Sequence, residues 1–324
     1  MTVKPKGLKA GDKIGIISPS SLVTSKEELE RGMQTLRVFG LRSELSKNAM
    51  KHRYNFQAGT PKQRLADLHE MFLDSKIKGI FCSTGGYSAI ELLSEGIDWD
   101  LIRKHPKVFM GYSDITTLLN PIYEKTGLVT FHGPIVEGLN SVHSRQGRYT
   151  VGNMVSVIMY GKTGKMISFT EWKVLREGVV EGILVGGNLN VLLSLIGTPF
   201  EPNWDGKILF WEEVDDTIEG FNHYMTRMRV AGVFQKISGM VVGKITNLQS
   251  IDDEDENPKG FENSPLVEKI ILNATRGYDF PILYNVDFGH GVPSLTLPIG
   301  ARAKLSCPIV DRVGSLSLTE TYLS

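Results

Sequence analysis

The sequence predicts an α/β protein, with a mostly parallel sheet in its first half and a smaller, strand-rich second half. Three observations carry this. Through about residue 160, short β-branched runs alternate with amphipathic helical stretches, the pattern of βαβ units. Two of those runs end in glycine-bearing turns that open helices. Beyond about residue 180, short apolar runs follow one another with one clear helix among them.

The first strand is Lys13 to Pro19 (KIGIISP). Ser25 followed by Glu28 has the form of a capping box, and Leu29, Met33 and Leu36 recur on one face of a helix that stops at Gly40. Thr60, Pro61 and Gln63 repeat the device and open a helix whose buried face is Leu65, Leu68 and Phe72. Ile77 to Thr84 reads as a buried strand running into Gly85-Gly86, and Lys107 to Met110 as another running into Gly111-Tyr112-Ser113-Asp114. Gly161 to Val179 has no sustained period, so the chain divides into an N-terminal domain (1–160), a linker (161–179) and a C-terminal domain (180–324). The second half carries strands at Val180–Val185, Lys207–Trp211, Gly239–Ile245, Leu283–Val286 and Arg302–Leu305, and a helix from Ile218 to Ala231. Ile251 to Lys259 (IDDEDENPK) lacks EF-hand spacing and reads as a solvated acidic loop.

Composition narrows the function. With 41% hydrophobic and 22% charged residues the chain is neither disordered nor fibrous. Thirty-six basic residues against 36 acidic ones leave none of the overall excess that marks nucleic-acid or anionic-membrane partners, so a small partner is expected. The start MTVKPKGLKAGDK has no secretory h-region and no apolar run is long enough to span a bilayer, so a cytoplasmic protein is expected. Cys82 and Cys307 are too few for a disulfide framework or a four-ligand zinc site.

In open α/β sheets the site lies beyond the carboxyl ends of the strands. Ser113, between a strand and a helix, has the placement of a nucleophile elbow, although Ile115 stands where the usual motif has glycine; a plain N-cap serine is the alternative. Gly85-Gly86 offers N–H groups for an oxyanion or a phosphate, or is a tight turn. A serine nucleophile needs a base. Among seven histidines, His290, between Gly289 and Gly291 at a strand end, is the best placed; His132 is the alternative, and His52, His69, His105, His143 and His223 read as surface. Glu212 and Glu213 leave the strand ILFW, as an orienting carboxylate or as an exposed rim.

These segments together resemble the LD-carboxypeptidase family of serine peptidases, which includes the microcin C immunity peptidases. The resemblance runs through GDKIGIISPS (Gly11 to Ser20), G-T-x-x-x-R (Gly59 to Arg64), STGGY (Ser83 to Tyr87), GYSD (Gly111 to Asp114), FHGP (Phe131 to Pro134), GGNL (Gly186 to Leu189), LFWE (Leu209 to Glu212) and H-G…P-I-G (His290 to Gly300). It implies Ser113 as nucleophile, His290 as general base, Glu212 as the carboxylate orienting it, and the N–H groups of Gly86 and Asp114 as an oxyanion hole. Gly85, Asn188 and Trp172 are the substrate-contact candidates; Lys173 and Arg176 read as solvated surface charges first and as cations for a substrate carboxylate second. The resemblance also implies a flavodoxin-like N-terminal domain, a homodimer, no metal or cofactor, and cleavage of terminal D-alanine from murein tetrapeptides. A peptidase of peptide or aminoacyl-nucleotide conjugates is the alternative within the family, with Trp172 stacking on a base. A non-catalytic nucleotide-binding α/β protein is the alternative outside it, and a thiol enzyme built on Cys82 is a further one. The interval from His132 to Val180 is short for the conjugate-cleaving branch.

Overall fold

A computed structural model describes residues 2–140, 142–250, 260–261, 264–291, 293–310 and 313–324. The acidic loop Ile251 to Lys259 lies outside the described residues. The chain forms two units, one of Met1–Lys162, Pro293–Ala301 and Thr321–Ser324, the other of Thr163–Val292 and Arg302–Glu320.

In the first unit, β1 (Lys13–Ile17), β2 (Arg42–Leu45), β3 (Ile77–Cys82), β4 (Val108–Gly111) and β5 (Thr130–His132) are parallel neighbours in the order β2-β1-β3-β4-β5. This is the flavodoxin-like order, in which the chain leaves β1 to opposite sides and a crevice opens between the ends of β1 and β3. The central strands are fully buried, with Ile14, Ile16, Ile80, Phe81, Phe109 and Met110 all 0% exposed. Continuous apolar runs in place of alternation follow from a sheet covered on both faces.

The helices start where the capping residues place them. Thr60 and Gln63 make a reciprocal capping box that opens Pro61–Leu73. Ser25 accepts from the Glu28 N–H at 3.2 Å, as its motif predicts. The return bond differs: Glu137, from far along the chain, accepts from the backbone N–H groups of Thr24 and Ser25.

The second unit holds a mixed sheet of β6 (Gly164–Lys165), β7 (Lys173–Arg176), β8 (Gly178–Asn188), β9 (Ile208–Thr217), β10 (Gly239–Gln249) and β11 (Ile282–Tyr284), completed by β13 (Arg302–Cys307) and β14 (Ser315–Leu318). β12 (Leu297–Ile299) instead returns to the first sheet, antiparallel to β5. The order in the second sheet is β6-β14-β13-β8-β9-β10-β11-β7, with β8 to β11 parallel. Helices Leu189–Leu195, Ile218–Val230 and Pro265–Ala274 connect those parallel strands, so the strand-rich half contains consecutive βαβ units. The first of these helices is too short for its sequence to show a period; Asn188 fixes its start by accepting from the Val191 N–H. Residues 161–179 contribute β6 and β7, which occupy opposite edges of this sheet. Among the described residues, no helix is long and apolar enough to cross a membrane.

Candidate active site

The ends of β1, β3 and β4 converge on Ser113. β4 ends at Gly111, and Ser113 opens a 3₁₀ turn, Ser113–Ile115, that leads into the helix Thr116–Thr126. Ser113 has φ 61°, in the left-handed region that costs an L-residue roughly 1–2 kcal/mol. Such strain is held only where the surroundings over-determine it, and it is the signature of a sharp strand-to-helix turn that presents a side chain. Gly85 lies against this serine, since a Cβ on it would stand 3.0 Å from Ser113 Cβ and 3.1 Å from Oγ. Gly86, at φ 136°, packs on the turn after β1: a Cβ there would come within 2.6 Å of Ser20 Oγ. No other residue fits at Gly86.

Asp114 ties this turn to the segments that follow β1 and β3. Its carboxylate is buried, accepting from Ser20 Oγ at 2.5 Å and from the Ala89 N–H at 2.8 Å. Burial pushes its pKa up, against those hydrogen bonds and the charge of Arg64, which pull it down. Arg64, itself 1% exposed, donates to the carbonyls of Pro19 (2.7 Å) and Ser88 (2.9 Å) and pairs with Glu91.

The second unit holds a carboxylate–imidazole pair of its own. Glu212 is fully buried in β9, and its Oε2 accepts from His290 Nδ1 at 2.7 Å and from the His290 backbone N–H at 3.3 Å. Gly289 is required by that approach, because a Cβ there would lie 2.8 Å from Glu212 Cβ. The His290 side chain is 20% exposed. Burial disfavours its protonation, but the charge of Glu212 and the hydrogen bond to it outweigh burial, and the imidazole pKa lies above its ordinary value.

Glu212 and Glu213 are therefore no exposed rim. Glu213, 2% exposed, accepts from the backbone N–H groups of Val214 and Asn190 and from Asn188 Nδ2 at 3.1 Å. Burial next to Glu212 raises its pKa to about 7. Asn188 is 4% exposed, holding Glu213 and capping a helix.

The remaining sequence-derived candidates have other neighbours. Trp172 is 6% exposed and its indole N–H donates to Asp287 Oδ2 at 2.8 Å, the setting of a packing residue and not of a stacking platform. Lys173 is paired with Glu268 at 2.6 Å, and Arg176 donates to Thr275 while lying over the Phe280 ring. Cys82 is wholly buried in β3 and burial pushes its thiol well above the ordinary range, which disposes of a thiolate nucleophile there. His132 is 1% exposed, edge-on to Tyr112.

One feature escaped the sequence. Asp287, 0% exposed and three residues before His290, accepts from the Phe169 and Thr170 N–H groups, Thr170 Oγ1 and Trp172, and lies 3.3 Å from Lys244 Nζ. Its only signal was an acid inside an otherwise apolar strand end.

Both halves of the chain have matches among known proteins. Residues 14–133 match the LD-carboxypeptidase N-terminal domain and residues 181–305 the LD-carboxypeptidase C-terminal domain. A Bacillus subtilis (strain 168) protein named probable murein peptide carboxypeptidase is 37% identical over 94% of this chain and 92% of its own. The Escherichia coli microcin C7 self-immunity protein MccF is 30% identical over 98% of this chain and 96% of its own. A solved structure of MccF superposes with a TM-score of 0.87 at 26% identity, covering 99% of both chains. With both halves matched in order and relatives aligned over nearly its full length, the chain belongs to the LD-carboxypeptidase family and is a carboxypeptidase hydrolase.

Proposed function

We propose that the protein is a serine LD-carboxypeptidase that removes the terminal D-alanine of murein tetrapeptide through an acyl-enzyme. The observation that carries this is the Glu212–His290 pair: a fully buried carboxylate gripping both the ring and the backbone of one histidine has the form of the orienting half of a catalytic triad. The nucleophile in this reading is Ser113, and its strained strand-to-helix turn supports that role. The names of the Bacillus subtilis relative and of a murein tetrapeptide carboxypeptidase of Pseudomonas aeruginosa (29% identical) support the substrate.

In this reading Nδ1–H of His290 is held by Glu212, and Nε2 takes the Ser113 proton as Oγ attacks the carbonyl of the scissile amide. The carbonyl oxygen becomes an oxyanion held by the N–H groups of Gly86 and Asp114, a class of interaction worth roughly 3–4 kcal/mol per donor. The C–N bond then breaks, the proton passes from His290 to the departing D-alanine amine, and a water activated by the same imidazole releases the tripeptide. A cytoplasmic location, a homodimer and service in murein recycling belong to the same proposal, and rest on the family resemblance.

The test is D-alanine release from murein tetrapeptide by wild type and by Ser113→Ala. Release by wild type alone supports the reading, and release by a folded Ser113→Ala protein overturns the serine mechanism. A second reading is favoured by the similarity to MccF, whose structures include complexes with glutamyl sulfamoyl guanosine and aspartyl sulfamoyl adenosine. It predicts hydrolysis of such aminoacyl conjugates, with the tetrapeptide untouched.

A further inference from the structure

The two N–H groups assigned to the oxyanion hole sit on different loops. Gly86 follows β3 and Asp114 follows β4, and no covalent geometry fixes the distance between them. What spans the gap is a buried polar network. The Asp114 carboxylate accepts from Ala89 N–H and from Ser20 Oγ, and Ser20 Oγ in turn accepts from the Ser88 N–H at 3.2 Å. Arg64 holds the Ser88 carbonyl and side chain from behind and ties them to the Pro19 carbonyl, while the Ser21 N–H donates to the Gly85 carbonyl at 3.1 Å. Gly86 and Tyr87 are thus bracketed on both sides by bonds that end on Asp114, Ser20, Ser21 and Arg64.

We infer that the Asp114 carboxylate and the Arg64 guanidinium are positioning residues that set the separation of the two oxyanion donors: Asp114 offers one donor through its backbone and places the other through its side chain. This rests on the proposed serine mechanism. A buried carboxylate and a buried guanidinium are costly to desolvate, and a loop that needed only to be closed could be closed by neutral groups. A displacement of about 1 Å in a catalytic constellation is enough to lower rate by about a hundredfold. The bonds described leave little room for such a displacement while both charges are in place.

Asp114→Asn keeps the shape but exchanges one acceptor oxygen for a donor, and Arg64→Lys keeps the charge but loses the fork whose Nη1 bonds Pro19 and Ser88 while its Nη2 pairs with Glu91. Each is expected to lower kcat by roughly 10- to 100-fold with KM within about threefold of wild type. The readout that a purely structural role would not move is a pair of affinities. One ligand is the product tripeptide; the other is that tripeptide with its terminal carboxyl replaced by an aldehyde, whose carbonyl carbon bonds to Ser113 Oγ and whose oxygen then occupies the hole. The aldehyde should weaken by the same factor as kcat/KM while the tripeptide holds within about threefold. Full turnover in both folded variants, or equal weakening of both ligands, overturns the inference. If Asp114→Asn does not fold, Ser20→Ala, which removes one bond to the same carboxylate, takes its place beside Arg64→Lys. Ser113→Ala run in parallel separates the two levels: activity retained there defeats the serine mechanism, whereas activity lost there with full activity in Asp114→Asn and Arg64→Lys defeats only the positioning role.

Discussion

Gly85 leaves Ser113 its space: a single added carbon on Gly85 would stand 3.1 Å from the Ser113 hydroxyl oxygen. That is tighter than ordinary van der Waals contact, and the serine, already in a strained turn, has to yield by a few tenths of an ångström. Gly85→Ala is therefore expected to lower kcat by at least about tenfold while the thermal midpoint moves by only a few degrees. Steady-state kinetics with a melting curve on the same preparation check it, and unchanged kcat would show that the serine tolerates the intrusion.

Strain at Ser113 makes a stability prediction independent of substrate. Ser113→Gly and Ser113→Ala both remove the hydroxyl, but only glycine adopts φ 61° without penalty. Ser113→Gly should be more stable than Ser113→Ala by about 1 kcal/mol in denaturant unfolding, with both inactive. Equal stabilities would mean that the turn relaxes once the hydroxyl is gone.

The pH dependence of turnover follows from the Glu212–His290 pair. The base must be neutral, and its pKa lies above the ordinary histidine value because Glu212 outweighs burial. The acid limb of kcat/KM should therefore lie above pH about 6.5. In Glu212→Gln the charge is lost and burial remains, so the limb should move to lower pH even as the rate falls. The same pair contributes to stability below the unfolded-state value, and that contribution is lost as pH rises through the folded one.

Glu213 acts on stability in a different window. Its native pKa of about 7 exceeds the ordinary 4.5, so the folded state binds more protons between those values and stability declines as pH rises from about 4.5 to 7. The decline is on the order of 3 kcal/mol at most. Glu213→Gln should lose this part of the slope, so the difference in unfolding free energy between pH 5 and pH 8 should be smaller than in wild type. An identical difference in the two proteins would contradict a raised Glu213.

The residues that cap, turn and end strands were the legible part of the sequence. The helix at Pro61 could be read from Thr60 and Gln63, and the Ser113 turn from a strand that stops at glycine, because each depends on neighbours a few positions away. The helix Leu189–Leu195 was missed because seven residues do not complete the repeats that make a period visible. Long-range polar pairing was illegible for a different reason. Nothing near Asp287 in sequence announces that it accepts from residues 169, 170 and 172, and nothing near Trp172 shows that its ring is committed to that acid. Glu213 looked like rim because an acid following an acid usually is, until β8 supplied Asn188 beside it.

The return of β12 to the edge of β5 sets an order on synthesis. A ribosome that has released residues 1–162 has delivered five of the six strands of the first sheet, all parallel, with β5 as an open border. That border is covered only when residues 297–299 emerge, after more than a hundred residues of the second unit. Until then the nascent N-terminal half presents an unpaired strand to other chains, the exposure that invites association between partly made copies. A gene fragment ending near residue 162 would carry that border permanently, and adding Pro293–Ala301 as a grafted strand is what would close it.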